Sequence, residues 1–160
     1  DGNIAKTGRI NKIILDQALD NFFNNENYDN QLKNKNKSFD IKDFNFSFIR
    51  GLSIEDGAAT LTEFSAQIIK DIIDSKINTH NKAKVYLCGG GRKNQFLIDR
   101  VKKKNQNIKQ IDELGIDGDY IESQAFAYIA IRSFLELEIT FPETTGCKIP
   151  CSGGVLTKNY

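Results

Sequence analysis

Methionine is absent from all 160 residues, and histidine occurs once, at His80. A chain without methionine does not open at an ordinary translation start, so these residues are expected to be the downstream part of a longer protein. Cysteine is scarce too. Cys88, Cys147 and Cys151 cannot all pair, and they read as free thiols in a reducing, cytoplasmic compartment. Cys147 and Cys151 have no second cysteine pair beside them, which falls short of the four ligands of structural zinc, so no metal site is expected in this chain. An excess of charge is also missing: 22 basic residues against 21 acidic ones leave +1. That balance gives no global field to draw the chain to nucleic acid or an anionic membrane. No apolar run approaches the ~20 residues that span a bilayer.

What is present is one domain's worth of chain, 39% hydrophobic, organised around Val85-Tyr86-Leu87-Cys88-Gly89-Gly90-Gly91-Arg92-Lys93-Asn94. A short β-rich apolar run enters three glycines, and Phe96, Leu97 and Val101 then follow at helical spacing. Glycine lets backbone approach a ligand closely, and a helix N-terminus presents free N–H groups to an anion. A nucleotide is therefore placed at Gly89, Gly90, Gly91 and Asn94.

Upstream, Asp1 to Arg9 reads as a loop leading into an amphipathic helix from Ile10 to Phe23. An Asn/Lys-rich loop, about 24–38, reads as mobile, and Phe39, Phe44, Phe46 and Phe48 should fold its end onto the core. Ser53 caps the longest helix, which runs to about Lys76 with Ala58, Leu61, Ser65, Ile68, Ile69, Ile72 and Ile73 as its apolar face. Its small residues fit close helix packing better than a ligand wall. His80 falls in a polar turn, and Lys102-Lys103-Lys104 suits a solvated helix end. Ile108 to Ile111 should form a second strand, parallel to the first across a helical crossover. A last long helix follows Asp117-Gly118-Asp119, with Ile121, Ala125, Tyr128, Ile129 and Arg132 along one face. The tail from Pro142 reads as loop.

Two motifs admit more than one reading. The dinucleotide fingerprint fits at Gly89 and Gly91, and Asp112 stands near the position of a ribose-binding acid, but Asn94 occupies the third glycine position. No Walker sequence is present. Asp119 reads as an N-cap completed by Glu122, or Glu122 as an acid placed to hold a sugar hydroxyl.

The stretch Leu87 to Asn94, followed by Gly115-Ile116-Asp117-Gly118-Asp119-Tyr120-Ile121-Glu122-Ser123-Gln124-Ala125-Phe126-Ala127, closely resembles anhydro-N-acetylmuramic acid kinases. So do Asn36-Lys37-Ser38-Phe39-Asp40, Asp56-Gly57-Ala58-Ala59-Thr60-Leu61-Thr62 and Phe141-Pro142-Glu143-Thr144-Thr145-Gly146, in the family's order over most of the chain. The resemblance implies a helix-rich α/β C-terminal lobe, residues 1–160, of an actin/hexokinase-like (ribonuclease-H-like) kinase fold, its sheet incomplete. It implies an ATP- and Mg²⁺-dependent kinase that opens the 1,6-anhydro bridge of anhydro-N-acetylmuramic acid and phosphorylates O6 in peptidoglycan recycling. Glu122 is then the sugar contact. The family's general base lies in an Asp-Thr-Gly-Pro-Gly-Asn block that is absent here. No catalytic residue is expected in this chain, which alone should be inactive. Two other expectations stand beside it: a non-catalytic half that pairs with a separate N-terminal half or with itself as a homodimer, and a dinucleotide-binding module.

Overall fold

The computed structural model describes residues 1–24, 41–77, 84–103 and 107–157, the side chains of 75–77 excepted. Nearly all of the expected Asn/Lys-rich loop, the Asn36–Asp40 block and His80 lie outside those residues.

The spine is a helix, α3 (Ile54–Ile77). Its start is written in the sequence: the Asp56 amide donates to Ser53 Oγ at 3.1 Å, the expected N-cap. The Asp56 carboxylate does not complete a capping box. It accepts instead from the Arg9 backbone amide at 2.7 Å and ties the N-terminal segment to the helix.

That segment corrects an expectation. Asn3–Thr7 is a short helix, α1, where a loop was expected. Tertiary packing overrides weak local propensity: Ala5 is buried, and α1 lies along α3. Gly8 makes the approach possible, since a Cβ there would sit 1.9 Å from the Glu55 carbonyl oxygen. The next helix, α2 (Lys12–Phe23), is the expected amphipathic one, capped by Asn11, whose side chain accepts from Ile14 N.

The apolar face assigned to α3 from periodicity is too narrow. Phe64, Ala59 and Ala66 are buried along with Ile68, because α3 is covered on two sides. One side carries Phe64 and Ile68 against Leu15 and Ala18 of α2, with Phe44 and Phe48 packed on the same cluster. Phe44 stacks on Phe22 with ring centroids 5.5 Å apart, and Phe48 meets Phe64 at 4.9 Å, so these aromatics do return to the core. The other side carries Ala66 against Val101 and Ile108, with Val85, Leu87 and Leu97 around them. Thr60 is fully buried, its hydroxyl accepting from Asn11 N at 3.0 Å. The small residues of α3 serve packing.

The second cluster is the sheet layer. β1 (Val85–Leu87) pairs in parallel with β2 (Ile108–Gln110), Val85 opposite Ile108. The crossover is α4 (Gln95–Lys102), held to the spine where Arg100 faces Glu63 at 3.4 Å. The molecule is thus a helix-rich α/β unit with a small parallel sheet, as expected.

Beyond β2 the packing ends. A 3₁₀ turn, Ile111–Leu114, leads to α5 (Ile121–Phe134), none of whose residues is buried. Of the face read along this helix, Ile121, Ile129 and Arg132 are half-buried and Ala125 and Tyr128 exposed, while Phe126 and Phe134 are 63% and 68% exposed. α6 (Pro142–Thr145) replaces part of the expected terminal loop, with Pro142 at its first position and Gly146 left-handed at its C-cap. An antiparallel bridge joins Thr140 to Cys151. Among the described residues, no helix is long and apolar enough to cross a membrane.

Candidate functional site

The edge of the sheet turns sharply after Leu87. Gly89 has φ +76 and ψ 176, a backbone region open in practice only to glycine. A 3₁₀ turn, Gly90–Lys93, follows, and Asn94 Oδ1 then caps α4 by accepting from Leu97 N at 3.2 Å. Asn94 is also pressed by Gly2, where a Cβ would fall 2.1 Å from its Oδ1. The Asn94 placed at the nucleotide from sequence is therefore already a helix cap, and its oxygen is committed.

Among the described residues the three glycines face open space: a Cβ at Gly89, Gly90 or Gly91 would meet none of their atoms within 4 Å. Internal packing does not account for glycine at 90 and 91. The Gly89 amide donates to Gly118 O at 2.9 Å, the Arg92 amide to Gly89 O and the Asn94 amide to Gly91 O. Among the described hydrogen bonds, the Gly90 and Gly91 amides meet no protein acceptor. The turn is tied at both ends and open in the middle.

Beneath it lies a residue that sequence reasoning missed. Arg92 is buried, 8% exposed, and its guanidinium reaches three stretches of chain. Nε and Nη2 donate to the two Asp112 oxygens at 2.9 and 3.0 Å, a bidentate pair. Nη1 donates to Gly89 O at 3.1 Å and to Asp119 Oδ1. Asp117 stands 3.7 Å away, and Lys93 shares Asp119. Hydrogen bonding to Arg92, partly offset by desolvation, lowers the Asp112 carboxyl to about 2. The same guanidinium, with Lys93, lowers Asp119. Arg92 itself is raised, first by Asp112 and then by Asp119. A signal did exist: a cation directly after the glycines, and aspartates at 112, 117 and 119.

This cluster revises two readings. Asp112 is bound along both oxygens and also accepts from Gly118 N at 3.4 Å, so it is not a free ribose acceptor. Asp119 does not cap α5; its carboxylate faces Arg92 and Lys93. The N-cap of α5 is Tyr120, with no side-chain cap bond, so Glu122 completes no capping box. Electrostatic demand from a buried guanidinium outweighs the ~1 kcal/mol of a cap. Glu122 is exposed in the first turn of α5, three residues past Asp119.

The described residues hold no group of three or more potential metal ligands. Cys88, directly before Gly89, is free and exposed, as is Cys151, and Cys147 is free and half-buried.

A strand, an open glycine turn and a capped helix, backed by the buried Arg92 and its half-exposed aspartates, make the candidate site of this α/β unit. Over residues 1–159 the sequence matches the family model for anhydro-N-acetylmuramic acid kinase, and the chain belongs to that family. It is 49% identical to the anhydro-N-acetylmuramic acid kinase of Pelagibacter ubique (strain HTCC1062), over 100% of this chain and 42% of that protein. The Rhodospirillum rubrum protein of that name is 34% identical over 96% of this chain, and Jannaschia sp. (strain CCS1) anhydro-N-acetylmuramic acid kinase 2 is 32% identical over 96%; this chain covers 39% of each. The chain spans about two-fifths of the length of these relatives.

Proposed function

We propose that these residues form the nucleotide-holding lobe of an ATP-dependent kinase that opens the 1,6-anhydro bridge of anhydro-N-acetylmuramic acid and phosphorylates its O6. The activity serves peptidoglycan recycling in the cytoplasm, and the fold is the C-terminal lobe of an actin/hexokinase-like kinase. One observation carries the reading: Gly90 and Gly91 leave room for a ligand that no described residue fills, with two amides turned to no acceptor among the described residues.

Gly89 supplies the backbone reversal, and the amides of Gly90 and Gly91 receive nucleotide oxygens, as amides at a helix N-terminal turn can. Asn94 shapes the exit of the turn into α4 and acts on the nucleotide only through that shape. Glu122, exposed at the start of α5, accepts a hydrogen bond from a sugar hydroxyl. ATP supplies the phosphoryl group. The described carboxylates do not fit a Mg²⁺ site, because Asp112 and Asp119 are committed to Arg92; the ion would be held by nucleotide phosphates and groups from elsewhere. No carboxylate here is assigned as general base, so the 160 residues alone have no turnover.

Cys88 offers a direct test beside Gly89. In a Cys147→Ser/Cys151→Ser background, ATP should slow alkylation of Cys88, and NAD should not. Equal protection by NAD would favour the dinucleotide module, and no protection by either would overturn the placement at Gly89–Gly91. Phosphorylation of the anhydro sugar by the 160-residue chain alone would overturn its inactivity.

A second reading draws on α5. Phe126, Tyr128, Ile131 and Phe134 are each more than 60% exposed on one helix. Such a face suits a half that pairs with a separate N-terminal half or with a second copy.

A further inference from the structure

We propose that Arg92 is a positioning residue that couples the glycine turn to the start of the helix carrying Glu122, so that one side chain sets the geometry of both ligand contacts. This rests on the nucleotide and sugar assignments above.

The connections are short and converge from three directions. Arg92 Nη1 reaches back to Gly89 O, at the head of the glycine turn, at 3.1 Å. The same nitrogen reaches Asp119, the residue before the N-cap of α5. Nε and Nη2 grip Asp112. A parallel backbone link runs from Gly89 N to Gly118 O at 2.9 Å. Gly118 is itself shaped by the guanidinium, since a Cβ there would fall 2.5 Å from Arg92 Nε. The side chain therefore lies flat against the very turn it holds. That turn continues without a break into α5: the Asp119 amide donates to Asp117 Oδ1, the Tyr120 amide to Asp117 O and the Gln124 amide to Tyr120 O.

The lever is α5 itself. No residue of this helix is buried, so core packing does not set its direction. Among the described residues it is held at its N-terminal end by the Arg92 cluster and near its C-terminal end where Ser133 Oγ donates to Gly153 O. Moving the Asp119 turn moves Glu122, and the same guanidinium holds Gly89. A lysine would keep the charge and lose the fork, for it cannot serve Asp112 bidentately and Gly89 and Asp119 together.

The test compares Arg92→Lys with Asp119→Asn in the full-length polypeptide that carries these residues, with thermal melting to check folding. Each is read by KM for ATP, KM for the anhydro sugar, kcat, and the dependence of ATP affinity on bound sugar. Arg92→Lys should raise both KM values by on the order of tenfold and abolish the mutual dependence, since small misplacements of ligand contacts carry such penalties. Asp119→Asn removes the charge of the link to α5 and its Lys93 pair, leaves at most a weaker neutral hydrogen bond to Arg92, and keeps the Asp112 fork; it should raise the sugar KM alone. Both KM values within twofold of wild type in both variants would overturn the proposal, as would a fall in melting temperature with the mutual dependence intact. If Arg92→Lys does not fold, Asp119→Asn decides by the same criteria. A wild-type protein that binds neither ATP nor sugar in calorimetry would instead remove the underlying assignments, an outcome distinguishable before any variant is made.

Discussion

Three aspartates converge on the Arg92 guanidinium, and that charge keeps the nearest of them ionised far into acid. Asp112 is lowered from 3.8 to about 2, and Asp119 is lowered as well, in both cases chiefly by hydrogen bonds to Arg92. The folded state therefore binds protons at these carboxylates more weakly than the unfolded chain. The Asp112 contribution is present in full above pH ~4 and is lost as pH falls through about 2, and that of Asp119 is lost in the same direction. Acid titration of stability should show an Arg92-dependent loss in that window, and Asp112→Asn should flatten it, measured by denaturant unfolding between pH 2 and 5. The glycines divide at the same scale. Gly8→Ala places a methyl against the Glu55 carbonyl and should destabilise by about 1–3 kcal/mol or more, read from the urea midpoint. Gly90→Ala meets open space without positive φ. It should leave stability within about 1 kcal/mol and weaken ATP protection of Cys88. A Gly90→Ala variant that is protected like wild type would count against the nucleotide contact.

At the scale of elements, α3 carries the fold because both of its long faces are covered. Phe64 sits at the centre of one cluster, so Phe64→Ala should destabilise by about 3–5 kcal/mol in chemical denaturation. Ser53→Ala removes one cap hydrogen bond and should lose about 1 kcal/mol. The sheet, by contrast, is two short parallel strands, which gain their stability from Ala66 and Val101 beneath them more than from their own ladder. This difference explains what could be read in advance. The Ser53 cap, α2, the extent of α3 and the parallel crossover were legible, because Ser53, the apolar spacing and the glycine turn are local signals. The second face of α3 was not, because it depends on which elements arrive from elsewhere to cover Ala59, Phe64 and Ala66. The placement of the glycine turn was legible too, and Arg92 beneath it was not: its partners lie 20 and 27 residues away.

For the whole molecule, the packed part ends at β2 and the apolar surface does not. Ile131 and Phe134 of α5 and Leu135, Leu137 and Phe141 beyond it remain exposed. The isolated chain should associate with rising concentration, seen as an increase in weight-average mass by light scattering. Phe126→Ser/Phe134→Ser should suppress that association and leave thermal stability within about 1 kcal/mol, because neither residue is buried. Association unchanged by this double substitution would show that another surface is responsible.

Local chemistry in the chain determined where α3 starts, where the strand meets its glycines, and which family the chain belongs to, because those features depend on neighbours a few residues apart. Only the folded structure decided that Asp112 and Asp119 serve a buried arginine, that α3 is covered on both sides, and that α5 is left uncovered. Those outcomes depend on charges and surfaces brought together from distant parts of the chain, which no local pattern specifies.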